Sequence, residues 1–281
     1  MRYFILCTNN INKYNGTYSH CYEIGLYLQD VGLNVCFLSI SNEKNNYVYD
    51  IKYNNHIPIF NMIDFLYNDI KEYCIILYAF YKHLSYFMIP FLSKAKHIFY
   101  LITDSAISIK DDISFIIPYL NKITFLYDVD LLNPIENEKI FQYVSKKECS
   151  WGIYDKYYRI THEECNDYFI YARYNDKKTN INYSYIDKIN EATQYCKENN
   201  ISYVLDTKKC FDPWNKYKGL IYTRNVDYSP RLPFEFGIVN KPTICFDTSP
   251  GLRTLAIDYT LYKPIMMKTK KKLTLPLELF Q

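Results

Sequence analysis

The stretch Leu220-Ile221-Tyr222-Thr223-Arg224-Asn225-Val226-Asp227-Tyr228-Ser229-Pro230-Arg231-Leu232-Pro233-Phe234-Glu235-Phe236-Gly237 joins a short apolar run, a polar loop and a helix start. Leu220-Ile221-Tyr222 reads as a buried strand. Ser229 suits an N-cap, because its hydroxyl accepts from an unpaired helical N–H. Pro230 suits the first helical position, where no N–H is needed. Asn240 closes the helix, and Pro242 stops it before the next apolar run, Thr243-Ile244-Cys245-Phe246. Strand, loop, helix and strand in this order belong to a parallel α/β sheet. Arg231 falls in the first helical turn, where free N–H groups and the helix dipole attract phosphate. Glu235 lies one turn further in, where ribose hydroxyls can donate to its carboxylate. The same residues also describe an ordinary capped helix with a solvated arginine, so the remaining chain has to decide.

With 281 residues the chain can bury one large core or two ordinary ones. Its 32 Tyr raise the aromatic share to 18%, while Gly is scarce at 7. Abundant Tyr, Asn, Ile and Lys follow AT-rich codons, so the tyrosines are not read as a stacking surface. A net charge of +3 is too small to indicate nucleic-acid binding by itself, which concentrates basic residues on one face. Nine cysteines at 7, 21, 36, 74, 149, 165, 196, 210 and 245 contain no Cys-x-x-Cys. Several sit within apolar runs, which suits small buried hydrophobes in a reducing compartment better than disulfides or zinc. The apolar run after Met1-Arg2 ends at Asn9-Asn10, too early for a signal peptide, and no run reaches membrane-span length. A cytoplasmic protein is expected.

Tyr3 to Thr8 reads as a buried strand, followed by a polar loop, Asn9 to Thr17, with the turn dipeptide Asn15-Gly16. Cys21, Ile24, Leu28 and Val31 then share a helical face, Gly32 is the stop, and Val35 to Ile40 is the next strand. This is a parallel crossover. Its loop carries a single glycine, Gly16, and so is no dinucleotide fingerprint. The alternation goes on with helices at Asn61 to Lys71, Leu84 to Lys94 and Asn133 to Val144. Strands are expected at Cys74 to Tyr78, His97 to Ile102 and Ile123 to Tyr127. The result is a first domain of about five parallel strands. Asp104 lies just past a strand end, where open parallel sheets collect functional groups, and its carboxylate can act as a general base. Asp in such a place is also a common turn residue, and Asp128 and Asp130 compete for the role after a later strand.

The charged stretch 146–166 reads as an interdomain connection. A second alternation starts with the strand Tyr168 to Ala172, then a polar loop with Arg173, Lys177 and Lys178. Ile186, Ile189 and Thr193 mark a helix and Ile201 to Leu205 a strand, before the opening stretch. Basic residues after the first strand and at Arg231 supply two cationic points on one sheet edge, as a diphosphate requires. Leu252 to Tyr262 reads as a closing helix and Lys268 to Lys272 as a basic tail. The fold expected is α/β, with Rossmann-like domains at 1–150 and 151–281 whose parallel sheets face a central cleft.

Two successive parallel α/β halves, with a helix-entry Arg and Glu in the second, resemble the GT-B glycosyltransferases. Asp227 and Glu235 have a spacing similar to the paired-acid "E-x7-E" signature of that group. Glu235-Phe236-Gly237-Ile238-Val239-Asn240-Lys241-Pro242 resembles its "E-A-x-x-x-G-x-P" segment. Asn15-Gly16-Thr17 at the first helix entry, with Gly32-Leu33-Asn34-Val35 after it, resembles the group's N-terminal, acceptor-side loop. Ile98-Phe99-Tyr100-Leu101-Ile102-Thr103-Asp104 is similar to the segment bearing the catalytic base in the phage DNA glucosyltransferases. The spacing from Arg231 to Glu235 is one residue longer than in that narrower family. An Asp-x7-Glu pair is also more usual in retaining enzymes, whereas an Asp base implies inversion.

The resemblance implies a nucleotide-sugar donor, read here as a UDP-sugar, and an acceptor hydroxyl, preferably on a hydroxymethylated base of double-stranded phage DNA. It assigns Asp104 to proton removal. It assigns Arg173, Lys178, Arg231 and the backbone at Ser229 to the diphosphate, Glu235 to the ribose, and Asp227 to the donor side. No resident cofactor is implied, and a divalent metal is optional. A monomer in the cytoplasm, of the host if viral, is expected. A polysaccharide, protein or small-molecule acceptor fits the same residues, as does a non-catalytic nucleotide-binding protein or a nucleotide-sugar epimerase.

Overall fold

In the computed structural model, β1 (Tyr3–Cys7), α1 (Gly16–Asp30) and β2 (Asn34–Ser39) form the expected parallel crossover. The structure describes residues 3–7, 16–39, 47–50, 55–61, 72–78, 85–102, 116–128, 144–157, 165–171, 186–206, 216–223, 231–245, 265–267 and 271–280. The stop after α1 has a clear cause. Gly32 adopts φ +86°, its N–H donates to Gln29 O at 2.9 Å, and Leu33 N–H donates to Leu28 O at 3.1 Å. That pair of bonds is a Schellman closure. Val31, expected on the buried face, is instead 44% exposed, because it falls where the helix is already unwinding.

β3 (Tyr47–Asp50), β4 (Asn55–Asn61), β5 (Tyr73–Tyr78), β6 (His97–Leu101), β7 (Ile123–Tyr127) and β8 (Ser145–Glu148) complete the first sheet. Its order is β3-β4-β2-β1-β5-β6-β7-β8, with β3 antiparallel to β4 and every other pair parallel. The sheet is wider than the sequence reading gives. Asn61 ends β4 rather than starting a helix, and β8 occupies part of the stretch read as a connection. Ser145, Lys146, Lys147 and Glu148 are all exposed, since β8 is an edge strand, and such edges favour charged residues that discourage further pairing. Helix α2 (Ser85–Lys94) tolerates Pro90 inside it. The expected helices at 62–71 and 133–143 lie outside the described residues.

Central parallel strands are covered on both faces, which is why they read as unbroken apolar runs. Cys36, Leu38, Ile75, Leu77, Ile98, Tyr100 and Phe125 pack on one face with Phe91 and Leu92 of α2. From α1, Tyr22 stacks on Phe37, with ring centroids 6.1 Å apart. Burial holds the Cys36 thiol protonated, its pKa pushed up to about 12, as befits a packing residue.

The short pair β9 (Ser150–Trp151) and, late in the chain, β15 (Leu273–Thr274) is antiparallel. The chain divides into two compact units. The first takes residues 1–129, 133–157 and 273–281, and the second takes 130–132 and 158–272. The sequence reading instead divides the chain once, at 150.

The second unit has a five-stranded sheet built from β10 (Tyr168–Tyr171), β11 (Tyr203–Asp206), β12 (Gly219–Tyr222), β13 (Thr243–Cys245) and β14 (Ile265–Met267). The order is β11-β10-β12-β13-β14, parallel except for the last strand. Helix α3 (Ile186–Glu198) packs Ala192 and Cys196 against Ile170, Ile221 and Ile244, and Ile189 is buried as well. The buried stripe therefore runs through Ala192 rather than Thr193, whose hydroxyl donates to Asn190 O at 3.0 Å. Asn200, at φ +52°, closes this helix as Gly32 closes α1.

Gly219 begins β12 in a tight place. A Cβ there would lie 2.5 Å from Tyr168 Cε1 and 2.9 Å from Pro242 O. That carbonyl also accepts from Leu220 N–H at 2.9 Å, so it cannot retreat without loosening the sheet. Gly219→Ala is expected to destabilise the protein by about 1–3 kcal/mol, the usual range for overpacking. Urea unfolding measures it, and an unchanged midpoint would show that the Tyr168 ring simply moves aside.

Candidate functional site

The second sheet reverses its winding between β10 and β12: from β10 the chain goes outward to β11, then returns to the other side at β12. In open parallel sheets the crevice beyond this reversal is where ligands bind. Thr223 Oγ1 donates to Tyr171 O at 3.3 Å, which ties the two strand ends together. The segment carrying Arg173, Lys177 and Lys178 leaves from β10, and the one carrying Asp227 and Ser229 leaves from β12. Those five residues lie outside the described residues. The topology joins the two segments at their roots.

The second of them leads into α4 (Arg231–Ile238). Pro233 is harmless in its first turn, where N–H groups have no helical partner. The helix closes as the sequence predicts: Asn240 takes φ +60°, its N–H donates to Gly237 O at 3.0 Å, and Lys241 N–H donates to Phe236 O at 2.9 Å. All residues from Pro233 to Ile238 are buried, Glu235 included. Arg231 Nε donates to Glu235 Oε1 at 2.9 Å, one helical turn away. Side-chain exposure is 12% for Arg231 and 4% for Glu235, so this is an interior ion pair. A cation in the first turn opposes the helix dipole. Glu235 offsets that conflict in the helix that follows the sheet reversal. Lys271 is also buried here, its Nζ 5.9 Å from the Phe234 ring centre, a cationic neighbour that the sequence reading leaves in a solvated tail.

The first sheet reverses between β1 and β5. Gly16 and Thr17 open α1 at that reversal, while Asn15 lies outside the described residues. Asp104 also lies outside them; it follows Ile102, which prolongs β6 by donating its N–H to Leu126 O at 2.9 Å. Asp128, a competing candidate for the base, is 1% exposed, and its Oδ2 accepts from Trp151 N–H at 2.6 Å. It is a structural acceptor. Asp130 lies outside the described residues.

Three residues near this edge escape the sequence reading. His20 and Glu23 sit buried on α1, and Trp151 is 1% exposed on β9. The His20 and Trp151 rings meet edge to face with centroids 5.4 Å apart. Glu23 Oε2 accepts from Tyr154 N–H at 3.0 Å. The only prior signal is their placement: His20 and Glu23 stand one and two turns into the first helix. Among the described residues no three His, Cys, Asp or Glu side chains gather as a metal site, and no described helix is long and apolar enough to cross a membrane.

No protein-family model and no curated protein matches the chain. Solved structures do match in fold. An alpha-glucosyltransferase in complex with UDP and a 13-mer DNA containing a HMU base has a TM-score of 0.56 at 10% identity, over 93% of this chain and 84% of that one. An alpha-glucosyltransferase in complex with UDP alone gives 0.52 at 9%, over 88% and 80%. A third, with UDP and a 13-mer DNA containing a central A:G mismatch, gives 0.51 at 11%, over 87% and 78%. The chain thus shares, along most of its length, the two-sheet Rossmann-like fold of these alpha-glucosyltransferases.

Proposed function

We propose that the protein is a glycosyltransferase that moves a sugar from a nucleoside diphosphate, a UDP-sugar, to an acceptor hydroxyl. The observation that carries this reading is the interior Arg231–Glu235 pair at the entry of α4, where the second sheet reverses. UDP-bound neighbours of the same fold support it. Arg231, with Arg173, Lys178 and the backbone at Ser229, neutralises the diphosphate as it leaves. Glu235 holds Arg231 and serves the ribose; Asp227 lies on the same donor side. Asp104 takes the proton from the acceptor hydroxyl, whose oxygen bonds to the anomeric carbon as the bond to the diphosphate breaks. Asn15, Gly16 and Thr17 flank the acceptor. The acceptor we favour is a hydroxymethylated base in double-stranded DNA, turned out of the stack. Neighbours solved with HMU-containing DNA support that choice.

Isothermal titration with UDP tests the donor site. Arg231→Ala is expected to weaken binding roughly 10- to 100-fold, as for loss of a charged hydrogen bond. Labelled UDP-sugar, offered with and without hydroxymethylated DNA, tests the acceptor. Label in the DNA supports the full reading, label on another acceptor retains only the transferase, and UDP binding without turnover leaves a binding protein.

A further inference from the structure

We propose that Trp151 is a positioning residue, which registers the segments bearing the general base and the acceptor loop; this rests on the reaction proposed above. Three elements whose ends reach the carboxyl edge of the first sheet converge on this one buried residue. Its indole Nε1–H donates to Ile102 O at 2.8 Å, at the exit of β6 and two residues before Asp104. Its backbone N–H donates to Asp128 Oδ2 at the exit of β7, and its ring packs on His20 near the entry of α1.

Trp151 itself is held from behind. Leu273 pairs with it across the β9–β15 ladder, and Leu273 N–H donates to Ile153 O at 3.0 Å. Next to it, Cys149 N–H donates to Tyr127 O at 2.8 Å. Further on, Tyr154 and Lys156 fasten the same segment to Asp30 of α1, with the Tyr154 ring against Tyr27. The indole is therefore fixed on several sides before it meets the Ile102 carbonyl. At 1% exposure it is sealed from solvent, so it acts through the groups it orients rather than on substrate. A general base needs its oxygen within hydrogen-bond reach of the acceptor proton, and misplacement by about 1 Å can lower a rate on the order of 100-fold. An anchor on the carbonyl two residues upstream meets that need.

The test uses the full chain with Trp151→Phe, which keeps an aromatic ring against His20 and deletes the Nε1–H donor. The expected result is a fall in kcat of about tenfold with KM for the UDP-sugar and UDP affinity unchanged. Hydrogen–deuterium exchange should rise in peptides covering 98–110 and stay unchanged in α3 and β10 of the second unit. If Trp151→Phe fails to fold, benzothienylalanine at position 151, which keeps the ring volume but has no N–H, gives the same measurements. Unchanged kcat, or a loss shared equally by KM, overturns the proposal. So does unchanged exchange at 98–110. An inactive wild type whose exchange responds as described overturns the transferase reading instead.

Discussion

Glu235→Ala is expected to lower the unfolding free energy by about 3–5 kcal/mol and to remove UDP binding with it. The size follows from burial. Exposed pairs spaced by four residues on a helix contribute only about 0.3–0.5 kcal/mol. Here the side chains are 12% and 4% exposed, so truncating Glu235 removes a carboxylate from a buried guanidinium at the positive end of a helix. Glu235→Gln should be milder, because its amide oxygen still accepts from Arg231 Nε. A double replacement, Arg231→Met with Glu235→Leu, removes both charges and should recover most of the stability while UDP binding stays lost. Guanidinium chloride unfolding of the three variants decides this. A double variant as unstable as Glu235→Ala would mean that lost packing, not the buried charge, is responsible.

Asp104→Asn is expected to reduce turnover by about 10²- to 10⁴-fold, the range general-base catalysis contributes. Asparagine has the same shape and cannot take a proton, so UDP affinity should not change. The comparison is Asp128→Asn. Asp128 is buried and accepts from Trp151 N–H, so its amide variant should lose stability, with turnover per folded molecule falling far less than in Asp104→Asn. Single-turnover kinetics with saturating donor reads both. The opposite ranking would transfer proton removal to the exit of β7.

The central strands were readable because parallel sheets bury both strand faces, leaving runs such as Cys74 to Tyr78 and Ile98 to Leu101. Helix ends were readable for a similar local reason: Gly32 and Asn240 occupy left-handed backbone that few other residues accept. The edge strands were not. Ser145 to Glu148 pairs on one side only, carries exposed charge, and looks like a loop to any hydrophobic pattern. In the candidate site, Arg231 and Glu235 could be placed because one helical turn separates them, a purely local relation. Trp151, Asp128 and Ile102 could not be joined from sequence, since their bonds span 23 and 49 positions. The same separation hides from the sequence that a strand-end aspartate such as Asp128 braces the fold. By position Asp128 is a candidate base like Asp104, and the Trp151 N–H on its carboxylate marks it as a brace instead.

The first unit is closed by residues 273–280, with Phe280 stacked on Phe99 at 4.5 Å and Leu273 paired with Trp151. A ribosome makes those residues only after it has made the whole of 158–272. The unit begun first is thus the last to be finished. During synthesis, Trp151 and Phe99 therefore lack Leu273 and Phe280 until the last residues follow, and apolar surface left open in that interval is prone to wrong contacts.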